Sequence, residues 1–182
     1  LDDHSSDQTG QNTEQLFGQH TGAQRRQLLQ GETLPGGWVG KNWACHQLSQ
    51  NARGDFLFFT DADTIHAPGT VTAAVAFAQK HRADLVSAWP RMITETLGEK
   101  LIIPIIIVVG FAMCPHWATT FLQRFPGVAR RLPREMLRAV GGANGQFMFF
   151  SRKGYMQVGG HERIKSNVVE DVTFGREVAA EI

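Results

Sequence analysis

The amino-acid sequence predicts an α/β protein whose mostly parallel central sheet is flanked by helices. Three short apolar runs have the length of strands, at residues 56–60, 84–89 and 145–151. They alternate with stretches whose apolar residues recur at helical spacing. The 182 residues suffice for one domain with a substantial core. The formal net charge of +1 gives no sign of nucleic-acid binding. We therefore expect a single domain over residues 1–182.

Four helices are predicted around these strands. They lie at residues 11–20, at 43–52, from 68 onward and at 172–182. Proline suits the first turn of a helix, so Pro68 marks the start of the third. The order of strands and helices is that of a βαβ arrangement, which is the basis for expecting parallel strands.

The N-terminus predicts an incomplete sheet. Leu1 has the position of a last strand residue, because a polar loop rich in Asp and Ser follows at residues 2–9. Residues 26–30 are a candidate for a short strand. The chain has no initiator methionine, and its end cuts the last predicted helix. We therefore expect a fragment that is truncated at both ends and lacks the first strand of its sheet.

Two carboxylates, Asp61 and Asp63, directly follow the predicted strand at 56–60. Ligands bind at the carboxyl ends of strands in open α/β sheets. Carboxylates beside apolar packing are costly unless a cation joins them. A divalent metal with a phosphorylated ligand is therefore the natural occupant. The alternative is a polar loop after a strand, since so short a motif also arises by chance.

One segment, residues 101–113, is apolar on all sides. It is shorter than the roughly 20 residues that a membrane-spanning helix needs. Trp117 and then five arginines follow it, namely Arg124, Arg130, Arg131, Arg134 and Arg138. An apolar stretch followed by a basic cluster is typical of a segment in the membrane interface. We expect residues 101–138 to form such an insertion; the alternative is a buried core helix with solvated arginines.

Three further motifs accompany the Asp pair in a fixed order. Residues 2–9 (DDHSSDQT) open the chain, residues 40–44 (GKNWA) precede the pair, and residues 159–162 (GGHE) lead to 169–172 (VEDV). This ordered set resembles the family-2 glycosyltransferases over nearly the whole chain. The resemblance implies the A-type nucleotide-diphospho-sugar transferase fold and a nucleotide-sugar donor.

Within that family the sequence is most similar to membrane-associated enzymes of polyisoprenoid pathways, the hopanoid- and carotenoid-type glycosyltransferases. Residues 35–41 (PGGWVGK) and the apolar segment after residues 89–91 (WPR) carry this finer resemblance. It implies a catalytic domain on the cytoplasmic face of a membrane.

The resemblance assigns the donor site residue by residue. Asp2 and Asp3 match the acidic loop that contacts the nucleoside, and Lys41 matches the basic residue near the donor. Asp61 and Asp63 match the Asp-x-Asp motif that holds Mn²⁺ or Mg²⁺ and the ribose and diphosphate of the donor. If strand geometry persisted, Asp61 and Asp63 would point to opposite sides. One would then bind the metal, for which Asp63 is favoured, and the other would face the ribose.

Asp171 matches the catalytic base of the family. The acceptor hydroxyl must lose a proton as it attacks the anomeric carbon, and a carboxylate on the opposite face of the sugar can accept it. The neighbouring Glu170 would raise the proton affinity of Asp171 by like-charge repulsion. Direct displacement inverts the anomeric configuration.

The predicted function is therefore that of an inverting, metal-dependent hexosyltransferase. It moves a sugar from a nucleotide-diphosphate donor to a lipid-like acceptor (polyisoprenoid, hopanoid or carotenoid) or a polysaccharide at a membrane surface. One alternative is a haloacid-dehalogenase-type phosphohydrolase in which Asp61 is the nucleophile and Asp63 the acid/base. Another is a non-catalytic module of the same fold that binds a membrane or a partner.

Several of these residues also have purely structural interpretations. Asp2, Asp3 and Asp7 suit turns and caps, and Lys41 suits a solvated helix start. Glu170 and Asp171 are favourable at a helix N-terminus on electrostatic grounds alone.

Three other features have more than one interpretation. Residues 141–145 (GGANG) admit the acceptor or form a tight turn before a strand, and the turn is favoured. His66 and His161 are candidates for a third metal ligand, although a lone histidine is more often structural.

Overall fold

A computed structural model describes residues 1–19 and 26–181 of the chain. Within these ranges, one sheet is formed by the strands β1 (Phe56–Phe59), β2 (Leu85–Ser87) and β3 (Met148–Ser151). The helices in the described part of the chain are α1 (Thr9–Gln19), α2 (Gly40–Asn51), α3 (Thr70–His81), α4 (Leu97–Met113), α5 (His116–Arg124), α6 (Pro126–Ala129), α7 (Arg134–Val140), α8 (Arg152–Gln157), α9 (Gly160–Arg163) and α10 (Glu170–Ala179).

The sheet is not the mostly parallel one that the sequence predicts. The strand order is β1-β3-β2, and β3 pairs antiparallel with both neighbours, so that Phe59 and Ser87 both face Met148. β1 and β2 do run in one direction and are joined through α3, as a βαβ arrangement requires. The prediction is wrong because β3 lies between them and runs the opposite way. Residues 88–147, which connect β2 to β3, bring the chain back to the same end of the sheet, since Ser87 pairs with Met148.

The predicted elements are otherwise present, with shifted ends. The helices predicted at 11–20, 43–52, from 68 and at 172–182 correspond to α1, α2, α3 and α10. Residues 20 and 182 lie outside the described residues. A single parallel bridge joins Asp2, directly after Leu1, to Gln30 in the candidate strand at 26–30.

The core is built on the two faces of β3. Phe150 packs with Tyr155 and Phe174, which α8 and α10 contribute, whereas Phe149 packs with the α3 residues Ala74 and Ala78. Successive strand residues point to opposite faces, so adjacent phenylalanines serve two separate clusters. Burial on both faces explains why the predicted strand reads as a continuous apolar run.

The apolar segment forms α4, which begins with a capping box between Thr96 and Glu99. Pro104 lies inside the helix. By length and composition alone, the stretch Leu97–Arg124 could cross a membrane. Only 6% of its most apolar window is buried in the protein. The alternative of a buried core helix therefore does not agree with the packing.

The five arginines after this segment do not form one free cluster. Arg138 donates two hydrogen bonds to the Glu177 carboxylate, at 3.1 and 3.2 Å, and so joins α7 to α10. Arg134 lies 3.9 Å from a carboxylate oxygen of Glu181. The remaining arginines are exposed, and no ion pair of theirs is found among the described residues; they are Arg124, Arg130 and Arg131.

Candidate functional site

A cleft of about 440 Å³ opens at one edge of the sheet. The segments that follow β1 and β2 and the segment that precedes β3 all meet there. Its charged lining residues are Lys41, Asp61, Glu170 and Asp171. Its apolar lining includes Trp89, Met92 and the α4 residues Ile103, Ile106 and Ile107. The cleft therefore joins a charged floor to a hydrocarbon wall within the size range of small-molecule sites.

Lys41 connects two carboxylates across the floor of the cleft. Its Nζ lies 2.9 Å from Oδ1 of Asp61 and 2.7 Å from Oε1 of Glu170. The Glu170 side chain is only 7% exposed, against 45% for Lys41 and 34% for Asp61. Partial burial alone would lower the pKa of Lys41. The hydrogen bonds and charges of Glu170 and Asp61 outweigh that effect and raise the pKa above its usual value.

Asn42 fixes the start of α2, and with it the position of Lys41. This fully buried residue donates from Nδ2 to the carbonyls of Ile164 and Asn167, both at 2.9 Å, and of Lys165 at 3.3 Å. The 164–167 loop leads into α10, which carries Glu170 and Asp171. A buried amide that donates to three carbonyls of one loop therefore fixes the position of the lysine relative to the two carboxylates.

Asp171 is held by backbone donors at the N-terminus of α10. Its Oδ2 accepts the N–H of Gly145 at 2.8 Å, and its Oδ1 accepts that of Val172 at 2.7 Å. A side chain at Gly175 would collide with the backbone of Gly142, so the glycine allows α10 to approach the loop before β3. The carboxylate is thus held in a fixed orientation at the edge of the cleft.

The loop at 141–145 leads into the tight turn that the sequence favours, and its contact with an acceptor stays a prediction. Asn144 and Phe147 form an antiparallel bridge around a tight turn. Asn144, Gly145 and Gln146 also line the cleft. The favoured turn is confirmed, and it brings a backbone donor to Asp171.

The two aspartates after β1 do not sit on opposite sides of a strand. β1 ends at Phe59, and the N–H of Thr64 bonds the carbonyl of Asp61 at 3.2 Å in a turn. Asp61 lines the cleft and pairs with Lys41, whereas Asp63 is exposed and has no hydrogen bond or ion pair with the described residues. The expected alternation does not apply, because the chain turns before it reaches Asp63.

Asp61 and Asp63 suit a divalent metal that binds together with a phosphorylated ligand. They do not suit a metal that protein side chains alone must hold. No group of three or more His, Cys, Asp or Glu side chains in the described part of the chain could hold a metal ion. Carboxylate oxygens are nevertheless suitable ligands for Mg²⁺ or Mn²⁺, and phosphate oxygens and water can complete the shell. Asp63 is free to bind, and Asp61 keeps one oxygen beyond its pair with Lys41.

Asp2 and Asp3 lie outside the cleft lining. The buried Asp2 accepts the N–H of Ser5 at 3.0 Å and the side-chain amide of Gln30 at 3.2 Å. Hydrogen bonding, chiefly with Ser5, lowers the pKa of its carboxyl. Asp3 is exposed, and a Cβ at Gly40 would lie 4.0 Å from its Oδ2, so it stands beside the start of α2. Their contact with a nucleoside stays a prediction.

Neither histidine candidate joins a metal-binding group in the described residues. His66 contacts the hydroxyl of Thr60 at 2.9 Å. His161 is fully buried, and its Nδ1 lies 2.7 Å from the Tyr155 hydroxyl. Burial, with the nearby charges of His46 and Lys41, lowers the pKa of His161 to about 3. His161 is therefore a neutral core residue.

Three residues of the site have roles that motif reasoning did not assign. Glu170 is the buried partner of Lys41, Asn42 aligns two elements, and Trp89 lines the cleft from the segment after β2. The signal for Asn42 was its place beside Lys41 in residues 40–44. Nothing in the sequence indicates the contact of Glu170 with Lys41, since the two are far apart along the chain.

Comparison with known proteins assigns the chain to a family. The model of glycosyl transferase family 2 matches residues 1–156, which include Lys41, Asp61 and the turn before β3. No curated protein and no solved structure matches the chain. The match covers well over half of the 182 residues, and the chain therefore belongs to glycosyl transferase family 2.

Proposed function

We propose that the protein is an inverting glycosyltransferase that moves a sugar to a lipid-like acceptor at a membrane surface. Family membership makes it a glycosyltransferase that uses a nucleotide-sugar donor, and it implies the A-type fold. One observation carries the finer proposal. A single cleft combines a charged floor, formed by Lys41, Asp61, Glu170 and Asp171, with a wall of isoleucines from α4.

The charged floor suits the donor and the proton transfer. Lys41 can face a diphosphate, because it lines the cleft with 45% of its side chain exposed. Asp171 takes the proton of the acceptor hydroxyl as the oxygen attacks the anomeric carbon, while the nucleoside diphosphate leaves from the other side. One displacement of this kind inverts the anomeric centre. Asp171 lies beyond the matched residues 1–156, so geometry and the resemblance of residues 169–172 support its role.

A divalent metal belongs to the same proposal. Asp63, with Asp61, would hold Mg²⁺ or Mn²⁺ together with the diphosphate. When bound, the cation offsets the negative charge that develops on the leaving nucleoside diphosphate. The protein's own part is to keep Asp63 unpaired and Asp61 oriented by Lys41.

The apolar surface supports a lipid-like acceptor and attachment to a membrane. α4 contributes cleft-lining isoleucines, and on its other sides it exposes Ile105 (59%) and Val109 (50%). Trp117 in α5 is 77% exposed. Apolar groups on this scale, close to exposed arginines, favour insertion among lipid headgroups. The resemblance to hopanoid- and carotenoid-type enzymes supports the cytoplasmic face and a polyisoprenoid acceptor, with a polysaccharide as the other candidate.

The two alternative functions have less support. A phosphohydrolase of the haloacid-dehalogenase type would be a different family from the one that the chain matches. A non-catalytic module would have no use for a carboxylate that two backbone N–H groups orient in a cleft.

Donor binding and transfer can be tested separately with two substitutions and one control. In calorimetry with a nucleoside diphosphate and Mn²⁺, Asp63→Ala should weaken binding at least tenfold. Asp171→Asn should bind the donor like the unsubstituted protein but lose transfer to a polyisoprenoid alcohol by at least a hundredfold. Asp55→Ala, at the opposite end of β1, should change neither quantity. Undiminished binding by Asp63→Ala or activity of Asp171→Asn would contradict the assigned roles.

Membrane attachment can be tested by flotation with anionic liposomes. Replacing Ile105 and Val109 by Glu should reduce the bound fraction at least tenfold, since charged groups disfavour insertion among lipid chains. Val71→Glu, at an equally exposed site on α3, is the matched control. If both variants bound liposomes equally, the proposal that α4 contacts the membrane would be refuted.

A further inference from the structure

Trp89 lies between the sheet and α4. It follows β2 at the edge of the sheet where the cleft opens, and it lines that cleft while remaining 38% exposed. Its ring stacks on Phe111, with centroids 5.3 Å apart and an angle of 27° between the planes. The side chain therefore connects the loop after a core strand to the apolar helix.

The indole of Trp89 packs directly against Gly110. A Cβ built there would lie 2.8 Å from Cη2 of Trp89, which is closer than such contacts allow. Gly110 lies on the same side of α4 as Ile103 and Ile107, because positions i, i+4 and i+7 share a helix face. The indole and the cleft-lining isoleucines thus form one continuous apolar surface.

We propose that Trp89 is a specificity-determining residue, which holds the hydrocarbon chain of the acceptor against the Ile103, Ile106 and Ile107 face of α4. This inference rests on the proposed function. The acceptor class is an alcohol, or a phosphorylated alcohol, whose first several carbons are apolar. Its reactive oxygen lies toward Asp171 while its chain leaves the cleft along α4 toward the lipid surface.

The distribution of charge in the cleft selects this occupant. The charged lining side chains of the cleft lie together at its floor, where the proposed function places the donor diphosphate and the reactive oxygen. No charged side chain lines the α4 wall, where Ile106 and Trp89 are available for contact. A sugar chain would leave its hydroxyls without partners at this wall, whereas a hydrocarbon chain would not.

The role predicts an effect on acceptor affinity and not on chemistry. Trp89→Ala should raise the KM for a long-chain polyisoprenoid alcohol about tenfold, with kcat and nucleoside-diphosphate affinity within twofold. Trp89→Phe should stay within threefold of the unsubstituted enzyme, because the ring still covers Gly110. For a short, water-soluble alcohol the two substitutions should have equal, small effects. A purely structural role would alter both acceptors alike.

A glycine pair supplies the control for indirect effects. Gly110→Ala should displace the indole and raise the long-chain KM as Trp89→Ala does. Gly98→Ala, on the same helix with nothing within 4 Å of the added carbon, should leave the KM unchanged. An unchanged KM for Gly110→Ala and Trp89→Ala, with transfer intact, would overturn this inference alone. Transfer to glycan acceptors only, or no transfer from any donor, would overturn the proposed function as well.

Discussion

Replacing Lys41 by Met tests whether its ion pairs with Asp61 and Glu170 stabilise the folded protein. Met keeps much of the hydrocarbon volume of the side chain but removes the ammonium. Glu170, whose side chain is 7% exposed, would then be a buried carboxylate without its cation. Asp61 would suffer less, because 34% of its side chain already contacts solvent.

The expected cost follows from the distance and the burial. At 2.7 Å, two unit charges attract by about 6 kcal/mol at an effective dielectric constant near 20, and by about 1.5 kcal/mol in water. Breaking a fully buried pair costs roughly 3–5 kcal/mol. Lys41 is 45% exposed, so solvent screens part of the interaction. We therefore expect Lys41→Met to lower the free energy of unfolding by about 2–3 kcal/mol.

Urea unfolding of three variants measures this quantity. Lys80→Met removes an exposed lysine from α3 and should change stability by less than about 0.5 kcal/mol. Adding Glu170→Gln to Lys41→Met should restore about 1–2 kcal/mol, because the unpaired carboxylate is gone. The reasoning would be refuted if Lys41→Met cost no more than Lys80→Met, or if the second substitution added further destabilisation.

Two further predictions concern the frame around the cleft. His161 is neutral when folded, with its pKa lowered from 6.5 to about 3, so only the unfolded chain gains a proton below pH 6.5. Stability should thus fall by about 1.4 kcal/mol for each pH unit from 6.5 toward 4.5, and His161→Gln should lose this slope in thermal unfolding. Asn42→Leu should destabilise by about 2–4 kcal/mol, because the carbonyls of Ile164, Lys165 and Asn167 lose a buried donor. Faster amide exchange of residues 164–167 should accompany it, and unchanged exchange would contradict the anchoring role.

The sequence predicts the elements of this fold better than their arrangement. Continuous apolar runs identify β1 and β3 because both are buried on the sheet, and helical spacing identifies α3. The direction of β3 is not visible in such patterns, since hydrophobic periodicity is the same for either direction of a strand. The direction of β3 depends on the path of residues 88–147. That path includes the packing of α7 against α10, which no local pattern shows.

The same distinction applies to the site. Lys41, Asp61 and Asp171 were predicted as site residues, and the structure brings them to one cleft. Asp63 was predicted to point away from Asp61 by strand alternation, which fails because a turn begins at Asp61. The burial of Glu170 and the packing of Trp89 against Gly110 depend on tertiary contacts, which local sequence patterns do not show.

The contact between Lys41 and Asp61 distinguishes the two aspartates of the Asp-x-Asp motif, which the sequence alone does not. A carboxylate already paired with a lysine is a poor sole ligand for a cation, because the ammonium and the metal compete for the same charge. Asp61 contacts Lys41 at the floor, and we therefore propose the exposed Asp63 as the main carboxylate for a metal that arrives with the donor. In the proposed donor complex, the buried charge of Glu170 would keep Lys41 in place independently of Asp61. The proposal thus gives Asp63 and Glu170 opposite roles at the donor site, one as an unpaired metal ligand and the other as the buried partner of Lys41.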